Sequence, residues 1–225
     1  MKDRKDVLVL VQARLGSQRV PQKMTKPLKN TNLFEICLKK LKNLKSVKQE
    51  QVYVSVWEGA LQQIADKHGI NIFQRSEKSA NSEGTPMTQM YEWWNKLPFK
   101  YCILVNGCAP FLKSETIDGF VEEYCNSESD GMFGVIEKKN YFWNNEKEFL
   151  TPLTEDVMNT KLAKPVYEAA HCLYAGRMDK IGEGIWMGNF NIPGDIELFS
   201  MSEAECFDVD YPWQFEMLEK LYEEE

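Results

Sequence analysis

The sequence predicts an α/β protein in which one doubly wound, mainly parallel β-sheet carries helices on both faces. Short runs rich in β-branched and apolar residues alternate with stretches whose apolar residues recur at helical spacing. The first run, Val7-Leu8-Val9-Leu10-Val11, is apolar throughout, as expected of a parallel strand that is buried on both faces. A length of 225 residues suits one sizeable core. We therefore expect a single domain over residues 1–225.

Strands are expected where β-branched, aromatic and aliphatic residues cluster between turn residues. In chain order these segments are residues 7–12, 51–57, 70–73, 101–105, 132–136, 171–175 and 206–209. The clearest of them is Val52-Tyr53-Val54-Ser55-Val56. Because stretches of helical character separate most of these segments, the strands are expected to run parallel.

Helices are expected where apolar residues recur every three or four positions. In chain order these segments are residues 32–44, 59–68, 85–97, 114–125 and the stretch from Pro212 to the acidic tail. Gly69 is expected to cap the second helix, because glycine readily adopts the left-handed conformation of a helix end. Thr85 and Pro86 suit the N-cap and the first position of the third helix.

Charged and polar residues follow the ends of several predicted strands. They are the loop 14–23, Arg75, the turn 106–110 and the pair Asp208 and Asp210. Ligands of such sheets lie beyond the carboxyl ends of the strands. These residues are therefore expected to face one crevice.

Composition and charge narrow the possible partners. The formal net charge of −7 argues against nucleic acid, yet residues 1–50 hold 13 Lys and Arg against 4 Asp and Glu, which suits a small anionic ligand. No stretch is apolar enough for a membrane span, and the first apolar run is too short for the core of a signal peptide. We expect a cytoplasmic protein without a membrane partner, whose six cysteines are reduced thiols.

The loop after the first strand concentrates groups that bind phosphate. Gly16 relaxes the backbone, Ser17 offers a hydroxyl, and Arg14, Arg19 and Lys23 are fixed cations. Free backbone N–H groups in such a loop can also face phosphate oxygens. Taken alone, the same residues are equally compatible with an ordinary solvated basic loop.

The pattern Ala13-Arg14-x-Gly16-Ser17-x-Arg19-x-Pro21-x-Lys23 resembles the signature loop of the cytidylyltransferases that activate acidic sugars. That family includes the CMP-sialic acid (acylneuraminate) and CMP-Kdo synthetases and the related spore-coat polysaccharide nucleotidyltransferases. The resemblance implies a Rossmann-like nucleotidyltransferase fold. It also implies that the conserved positions of the pattern bind the nucleotide, namely Ala13, Arg14, Gly16, Ser17, Arg19 and Lys23. Arg14 and Lys23 would act in catalysis as well.

Asp208 and Asp210 stand in a second motif, Phe207-Asp208-Val209-Asp210-Tyr211-Pro212-Trp213-Gln214-Phe215. Two carboxylates side by side repel each other unless a hard cation such as Mg²⁺ is near. The residues alone also allow Asp210 to cap the following helix and Asp208 to be solvated. The motif resembles the C-terminal metal motif of the same family, which implies that Asp208 and Asp210 hold Mg²⁺ and that Asp210 is catalytic.

Between the two motifs the resemblance is weaker and implies further contacts. Arg75 and the backbone around Gly84 would hold the cytosine, unless Arg75 is a surface residue. Asn106 stands where the family has a substrate-contacting glutamine, or it serves only the turn. His171 and Tyr174 are candidates for contacting the acceptor sugar, and His171 could instead contact the base, although a lone histidine in a strand is often structural.

Three departures from the family pattern leave the acceptor open. Cys108 stands where the CMP-Kdo branch has an aspartate that binds metal. The sialate stretch Arg-Pro-Asn-Gly is replaced by Glu168-Ala169-Ala170-His171, so one expected arginine for a sugar carboxylate is missing. The Ser-Gly-Thr run of the Kdo enzymes does not follow Arg75.

Residues 138–166 break the alternation of strands and helices. They contain the aromatic stretch Tyr141-Phe142-Trp143 and match the region through which the resembled enzymes form dimers. We therefore expect a small dimerisation insertion in a homodimer. The alternative is a β-hairpin folded over its own core.

The resemblance implies a transferase that joins an acidic sugar to CMP. CTP and a sialic, legionaminic, pseudaminic or Kdo-like acid would yield the CMP-sugar and pyrophosphate in a Mg²⁺-dependent reaction that serves polysaccharide biosynthesis. A cytidylyltransferase with an acidic acceptor that is not a sugar stays open. So do an Asp-x-Asp glycosyltransferase and a nucleotide-binding relative without catalysis.

Overall fold

The computed structural model describes residues 1–81, 84–151 and 159–223. Within these ranges one sheet has the strand order β3-β2-β1-β4-β6-β5-β7. Its strands are β1 Val7–Gln12, β2 Val52–Val56, β3 Asn71–Gln74, β4 Tyr101–Val105, β5 Gly131–Lys138, β6 Val166–Arg177 and β7 Ile196–Ser200. Only β6 runs against its neighbours, pairing antiparallel with β4 and β5, while the other pairs are parallel. The predicted fold class, a single mainly parallel sheet with helices, is confirmed.

The chain reverses its direction of travel through the sheet beside β1. After β1 it builds β2 and then β3 towards one edge, and it then returns to place β4 on the other side of β1. Such a reversal opens a crevice beyond the carboxyl ends of the two strands that flank it. The loops that follow β1 and β4 border this crevice. We call this side of the sheet the carboxyl edge.

The described helices are α1 Leu33–Lys42, α2 Gly59–His68, α3 Glu77–Ala80, α4 Met87–Met90, α5 Ser114–Asn126 and α6 Pro212–Leu221. Helix α1 begins because the side chain of Asn32 accepts a hydrogen bond from the N–H of Glu35. Helix α2 ends at Gly69, whose φ of 66° confirms the predicted left-handed cap. Elsewhere short 3₁₀ turns connect the elements.

Successive side chains of strand β1 point to opposite faces of the sheet, so the strand contributes to the core on each face. Val7, Val9 and Val11 point towards the face covered by α1, α2, α5 and α6. Leu8 and Leu10 point to the other face, where they meet Trp93, Trp186 and other residues of short helices and 3₁₀ turns. All of the β1 residues from 7 to 11 are fully buried. Burial of each such side chain contributes about 1.5–3 kcal/mol, and the rigid strand fixes the loop that follows it.

The helix predicted over residues 85–97 is wrong in its extent. Helix α4 ends at Met90, and a 3₁₀ turn follows over Glu92–Asn95. The break lies at Tyr91, whose backbone leaves the helical region at φ −107° and ψ 45°. This geometry lets the rings of Tyr91 and Trp93 pack against Trp186, so tertiary packing overrides the local helical pattern. Thr85 does not cap α4, because Pro86 stands at that position.

The strand predicted over residues 206–209 is also wrong. A 3₁₀ turn covers Glu203–Cys206, and the segment that follows is outside the sheet. The outermost strand on this side of the sheet is β7, which pairs with β5 and which the sequence analysis missed. Helix α3 was missed as well. No helix of the described ranges has the length and apolar character that a membrane span requires.

Candidate active site

Lys23 and Arg19 meet Asp210 at the carboxyl edge. Lys23 Nζ lies 2.9 Å from Asp210 Oδ1, and an Arg19 guanidinium nitrogen lies 2.8 Å from Asp210 Oδ2. Lys23 is buried, at 8 % exposed, whereas half of the Arg19 side chain is open to solvent. Burial alone would lower the pKa of Lys23, but Cys108 and Asp210 outweigh it and the net shift is upward. Lys23 is therefore a fixed cation, and its charge and that of Arg19 are paired with Asp210.

Arg14 and Arg75 form a second cationic cluster. It belongs to the loop 14–23 that follows β1, which we call the first loop, and to its surroundings. Arg75 donates to the carbonyl oxygen of Ala13 at 2.7 Å, and Arg14 donates to the carbonyl oxygen of Ala80 at 3.0 Å. Arg75 is only 3 % exposed, so the alternative of a surface residue is wrong. Burial lowers the pKa of Arg75 to about 10, partly offset by the charge of Glu58. Its Nε has no hydrogen-bond partner in the described structure.

The backbone of the first loop is already hydrogen-bonded in the free protein. The N–H of Ser17 donates to Leu15, the N–H of Lys23 donates to Val20, and the N–H of Leu15 donates to Glu58 Oε1 at 2.7 Å. The left-handed residue of the loop is Gln22, with φ 53°. Gly16 avoids that region, and a side chain there would meet open space. The N–H groups of Leu15, Ser17 and Lys23 are therefore already bonded within the protein, and a phosphate contact from the other N–H groups of the loop stays a prediction.

Asp208 lies in a partly buried position beside Asp210, Lys23 and Asn106. Its Oδ1 is buried and makes no hydrogen bond in the described structure. Burial and the neighbouring charge of Asp210 both raise the pKa of Asp208. The segment is held in place by the N–H of Val209, which donates to the carbonyl oxygen of Cys108 at 3.0 Å. An unsatisfied buried carboxylate oxygen beside a second carboxylate is what a hard cation would relieve.

The alternative in which Asp210 caps the following helix is wrong. Tyr211 is the N-cap of α6, and the side chain of Gln214 accepts the N–H groups of Asp210 and Tyr211. The Oδ1 atom of Asp208 is buried, so at least this oxygen is shielded from solvent. The donor set of Asp208 and Asp210 fits Mg²⁺ in chemistry, but not as a complete protein site. Among the described residues, no group of three or more His, Cys, Asp or Glu side chains is arranged to hold a metal. Remaining ligands would come from phosphate oxygens or water.

Asn106 organises the turn after β4 with both ends of its side chain. Its Nδ2 donates to the carbonyl oxygen of His171 at 2.8 Å, and its Oδ1 accepts the N–H of Cys108 at 2.9 Å. Asn106 thereby connects the β4 turn to β6. These contacts favour the alternative in which Asn106 serves the turn.

His171 is lifted out of the sheet by an irregularity in β6. The pairing of β5 with β6 jumps from Phe133–Tyr174 to Val135–Ala169, and His171 adopts a φ of 54° within the extra residues. Its ring is exposed, and its Nδ1 lies 3.0 Å from the Tyr174 hydroxyl. Bulges and strained backbone of this kind often direct a side chain towards a functional site. His171 is thus not a core residue.

The ring of His171 opens onto a cavity of about 330 Å³ at the carboxyl edge. Asp208, Trp213 and Lys138 line the same cavity. This volume is at the lower end of the range found for small-molecule sites. A smaller cavity, of about 110 Å³, lies beside Asp130 and Arg177, near the amino end of β4.

The sequence analysis missed three residues of this region. Glu58 follows β2 directly and holds the first loop, so the rule that ligands lie beyond strand ends would have found it. Lys138 ends β5, and the same rule applies to it. Trp213 stands in the second motif, shortly after Asp210, and is 54 % exposed. No local pattern in the sequence distinguishes it from an aromatic residue of the core.

Comparison with solved structures shows a shared fold at low sequence identity. A CMP:2-keto-3-deoxy-manno-octonic acid synthetase complexed with CTP superposes with a TM-score of 0.72 at 15 % identity, over 96 % of this chain and 98 % of that one. A cytidylyltransferase from Leptospira borgpetersenii gives 0.62 at 16 %, over 95 % and 85 %. A 4-diphosphocytidyl-2C-methyl-D-erythritol synthase from Anaerococcus prevotii gives 0.61 at 10 %, over 95 % and 94 %.

None of the curated proteins matches the chain. The model of the family described as cytidylyltransferase matches residues 8–181, a span that runs from β1 to the 3₁₀ turn after β6. The match confirms the prediction of an enzyme of this class. The chain therefore belongs to the cytidylyltransferase family.

Proposed function

We propose that this enzyme transfers CMP from CTP to an acidic sugar, with release of pyrophosphate, in a Mg²⁺-dependent reaction. The observation that carries the proposal is the cluster of Lys23, Arg19, Asp208 and Asp210 at the carboxyl edge. It joins fixed cations to two neighbouring carboxylates, of which Asp210 is paired with the cations and Asp208 has one oxygen without a partner. A triphosphate needs the first, and a divalent cation bound to that triphosphate needs the second.

The first loop binds the triphosphate in this proposal. Lys23, Arg19 and Arg14 neutralise its charge and that of the departing pyrophosphate, while Ser17 and the backbone from Ala13 to Gly16 border it. The triphosphate displaces Asp210 from Lys23 and Arg19, because it offers both cations a stronger anion. Catalysis is mainly positioning and charge neutralisation around the α-phosphorus, which the acceptor hydroxyl attacks in line.

Asp208 and Asp210 would hold Mg²⁺ in this arrangement. When bound, the ion would supply positive charge to the α-phosphate and to the attacking oxygen. Arg75 and the backbone around Gly84 border the nucleoside, and His171, Tyr174 and Asn106 border the acceptor. The cytoplasmic location expected from the sequence stays a prediction.

CTP is expected to raise the melting temperature of the isolated protein, and to do so more than ATP or GTP. A ligand at 100 times its Kd stabilises a folded protein by about 2.7 kcal/mol. Differential scanning fluorimetry with each nucleotide, with and without Mg²⁺, measures the effect. Equal shifts with all the nucleotides would contradict a cytidine site, and a response only to ready-made nucleotide sugars would indicate a glycosyltransferase.

Residues 138–166 form a dimerisation insertion in this proposal. Residues 139–151, which we call the arm, fold back through a bridge between Trp143 and Phe149, and both rings pack against Tyr141. The hairpin of the alternative therefore forms, yet Trp143, Phe149 and Leu150 remain 57 %, 44 % and 56 % exposed. Residues 152–158 of the insertion lie outside the described residues. Exposed apolar clusters of this kind mark protein contacts.

Light scattering is expected to give the mass of a dimer at tens of micromolar. The double variant Trp143→Glu with Phe149→Glu is expected to be monomeric, because it places charges in the contact. Phe190→Glu, at an exposed aromatic outside the arm, is the matched control and is expected to stay dimeric. A wild-type protein of strictly monomeric mass would refute the proposed interface.

A further inference from the structure

The cavity of about 330 Å³ at the carboxyl edge has walls of two different kinds. One wall carries Asp208, which lies beside the first loop. The other is formed where β5 ends and β6 begins, and it carries Lys138 and Glu168. Trp213 of α6 lines the cavity as well and is exposed. A molecule in this cavity would therefore meet both Asp208 and Lys138.

The register of β5 and β6 sets the position of Lys138. Ile136 pairs with Glu168, and Lys138 pairs with Val166, so Ile136 and Lys138 point to the same face of the sheet. Both line the cavity. Only 21 % of the Lys138 side chain is exposed. Among the described residues that line the cavity, Lys138 is the one lysine or arginine.

Two surface carboxylates hold Lys138 in place. Its Nζ lies 3.6 Å from Glu168 and contacts Glu203 directly. The hydrogen bond to Glu203 raises the pKa of Lys138, so the side chain carries its charge at neutral pH. The side chains of Glu168 and Glu203 are 60 % and 69 % exposed, and ion pairs at such exposed sites contribute little to stability. An incoming anion can replace either partner at little cost.

We propose that Lys138 binds the anionic group of the acceptor and thereby selects acidic acceptors. Trp213 offers its exposed ring to the apolar face of the same molecule. The inference rests on the proposed function, since it names the residue that recognises the acid. The excess of carboxylates around the cavity makes an amine the competing ligand, and the two choices predict opposite effects of the same substitutions.

The test uses the full-length protein with N-acetylneuraminate and 3-deoxy-manno-octulosonate as probes. Lys138→Gln is expected to raise the KM of the acidic probe that is turned over by at least tenfold, because a hydrogen bond to a charged group is lost. The KM of CTP is expected to stay within about twofold of the wild-type value, since Lys138 lies outside the first loop. Lys139→Gln is the matched control, because Lys139 is the neighbouring lysine, pairs with Glu137 and does not line the cavity. Glu203→Gln is expected to lower the acceptor KM, since it removes a competing anion.

Calorimetry of both sugars, with the enzyme saturated by a non-hydrolysable α,β-methylene analogue of CTP, gives a second readout that needs no turnover. If Lys138→Gln and Lys139→Gln behave alike in KM and in binding, the assignment of Lys138 is overturned. Weaker acceptor binding in Glu203→Gln overturns it too, because that is the effect expected of an amine site. If neither sugar binds to wild type, the assignment is likewise wrong. Binding that depends on Lys138 without pyrophosphate release would support the assignment and contradict the proposed function.

Discussion

Replacing Asp208 with asparagine is expected to lower kcat by roughly 10² or more and, at the same time, to raise the melting temperature. The loss follows from removal of a carboxylate that would hold Mg²⁺ at the reacting phosphate. The gain follows because burial disfavours the charged Asp208, whose Oδ1 has no partner. Steady-state kinetics and thermal unfolding of the same preparation measure both effects.

The matched control is Asp66→Asn, which makes the same change on the exposed side of α2. Neither its kcat nor its melting temperature is expected to change. A structural role for Asp208 would give the opposite signature, namely lower stability with kcat retained. Full activity of the double variant Asp208→Asn with Asp210→Asn would contradict the metal assignment altogether.

Replacing Lys23 with alanine is expected to lower kcat/KM for CTP by about one to two orders of magnitude. This corresponds to a loss of about 1.5–3 kcal/mol of transition-state stabilisation. Lys23 is buried and fixed by Asp210, so its charge is positioned before the triphosphate arrives. Arg14→Ala is expected to cost a similar amount. Lys39→Ala, at an exposed lysine on α1, is the control for the loss of one positive charge. Normal kcat/KM in both Lys23→Ala and Arg14→Ala would show that these cations of the first loop take no part in CTP binding or catalysis.

Replacing Asp210 is expected to separate CTP binding from catalysis, because turnover falls while the affinity for metal-free CTP does not. It holds both Lys23 and Arg19 in the free protein, so Asp210→Asn leaves two cations without their anion. Metal-free CTP is therefore expected to bind this variant at least as tightly as wild type, although turnover falls. Calorimetry in the presence of a chelator measures that affinity.

The predictable part of the fold is the part that local patterns determine. Strand β1 is an unbroken apolar run, and helix α2 ends at a glycine that adopts the left-handed conformation, so their bounds could be read from the sequence. The alternation of such elements was enough to predict a parallel sheet. It was also enough to place the loop after β1 at the crevice.

The wrong predictions arise where long-range contacts override local patterns. The helix over 85–97 is broken because Trp93 and Trp186 pack together from distant parts of the chain. The segment around Asp208 has the alternation of a strand, yet it is fixed by a single backbone hydrogen bond to Cys108 and not by a ladder. The true edge strand, β7, is short and only partly buried, so its apolar signal is weak.

The site shows the same division. The residue types of the first loop and the Asp motif were visible in the sequence, but their pairing was not. No local signal shows that Asp210 closes on Lys23, or that the N–H groups of the loop are already bonded to other parts of the chain. Lys138 was missed because its significance depends on the register of β5 against β6.

Pyrophosphate release, measured with CTP, UTP, ATP and GTP against a panel of acidic sugars, tests the central claim most directly. The account predicts release that requires CTP, Mg²⁺ and an acidic sugar together, with a product whose mass is that of the CMP-sugar. Equal release from all four nucleotides would contradict it. So would a protein that CTP stabilises but that releases no pyrophosphate with any acidic sugar of the panel.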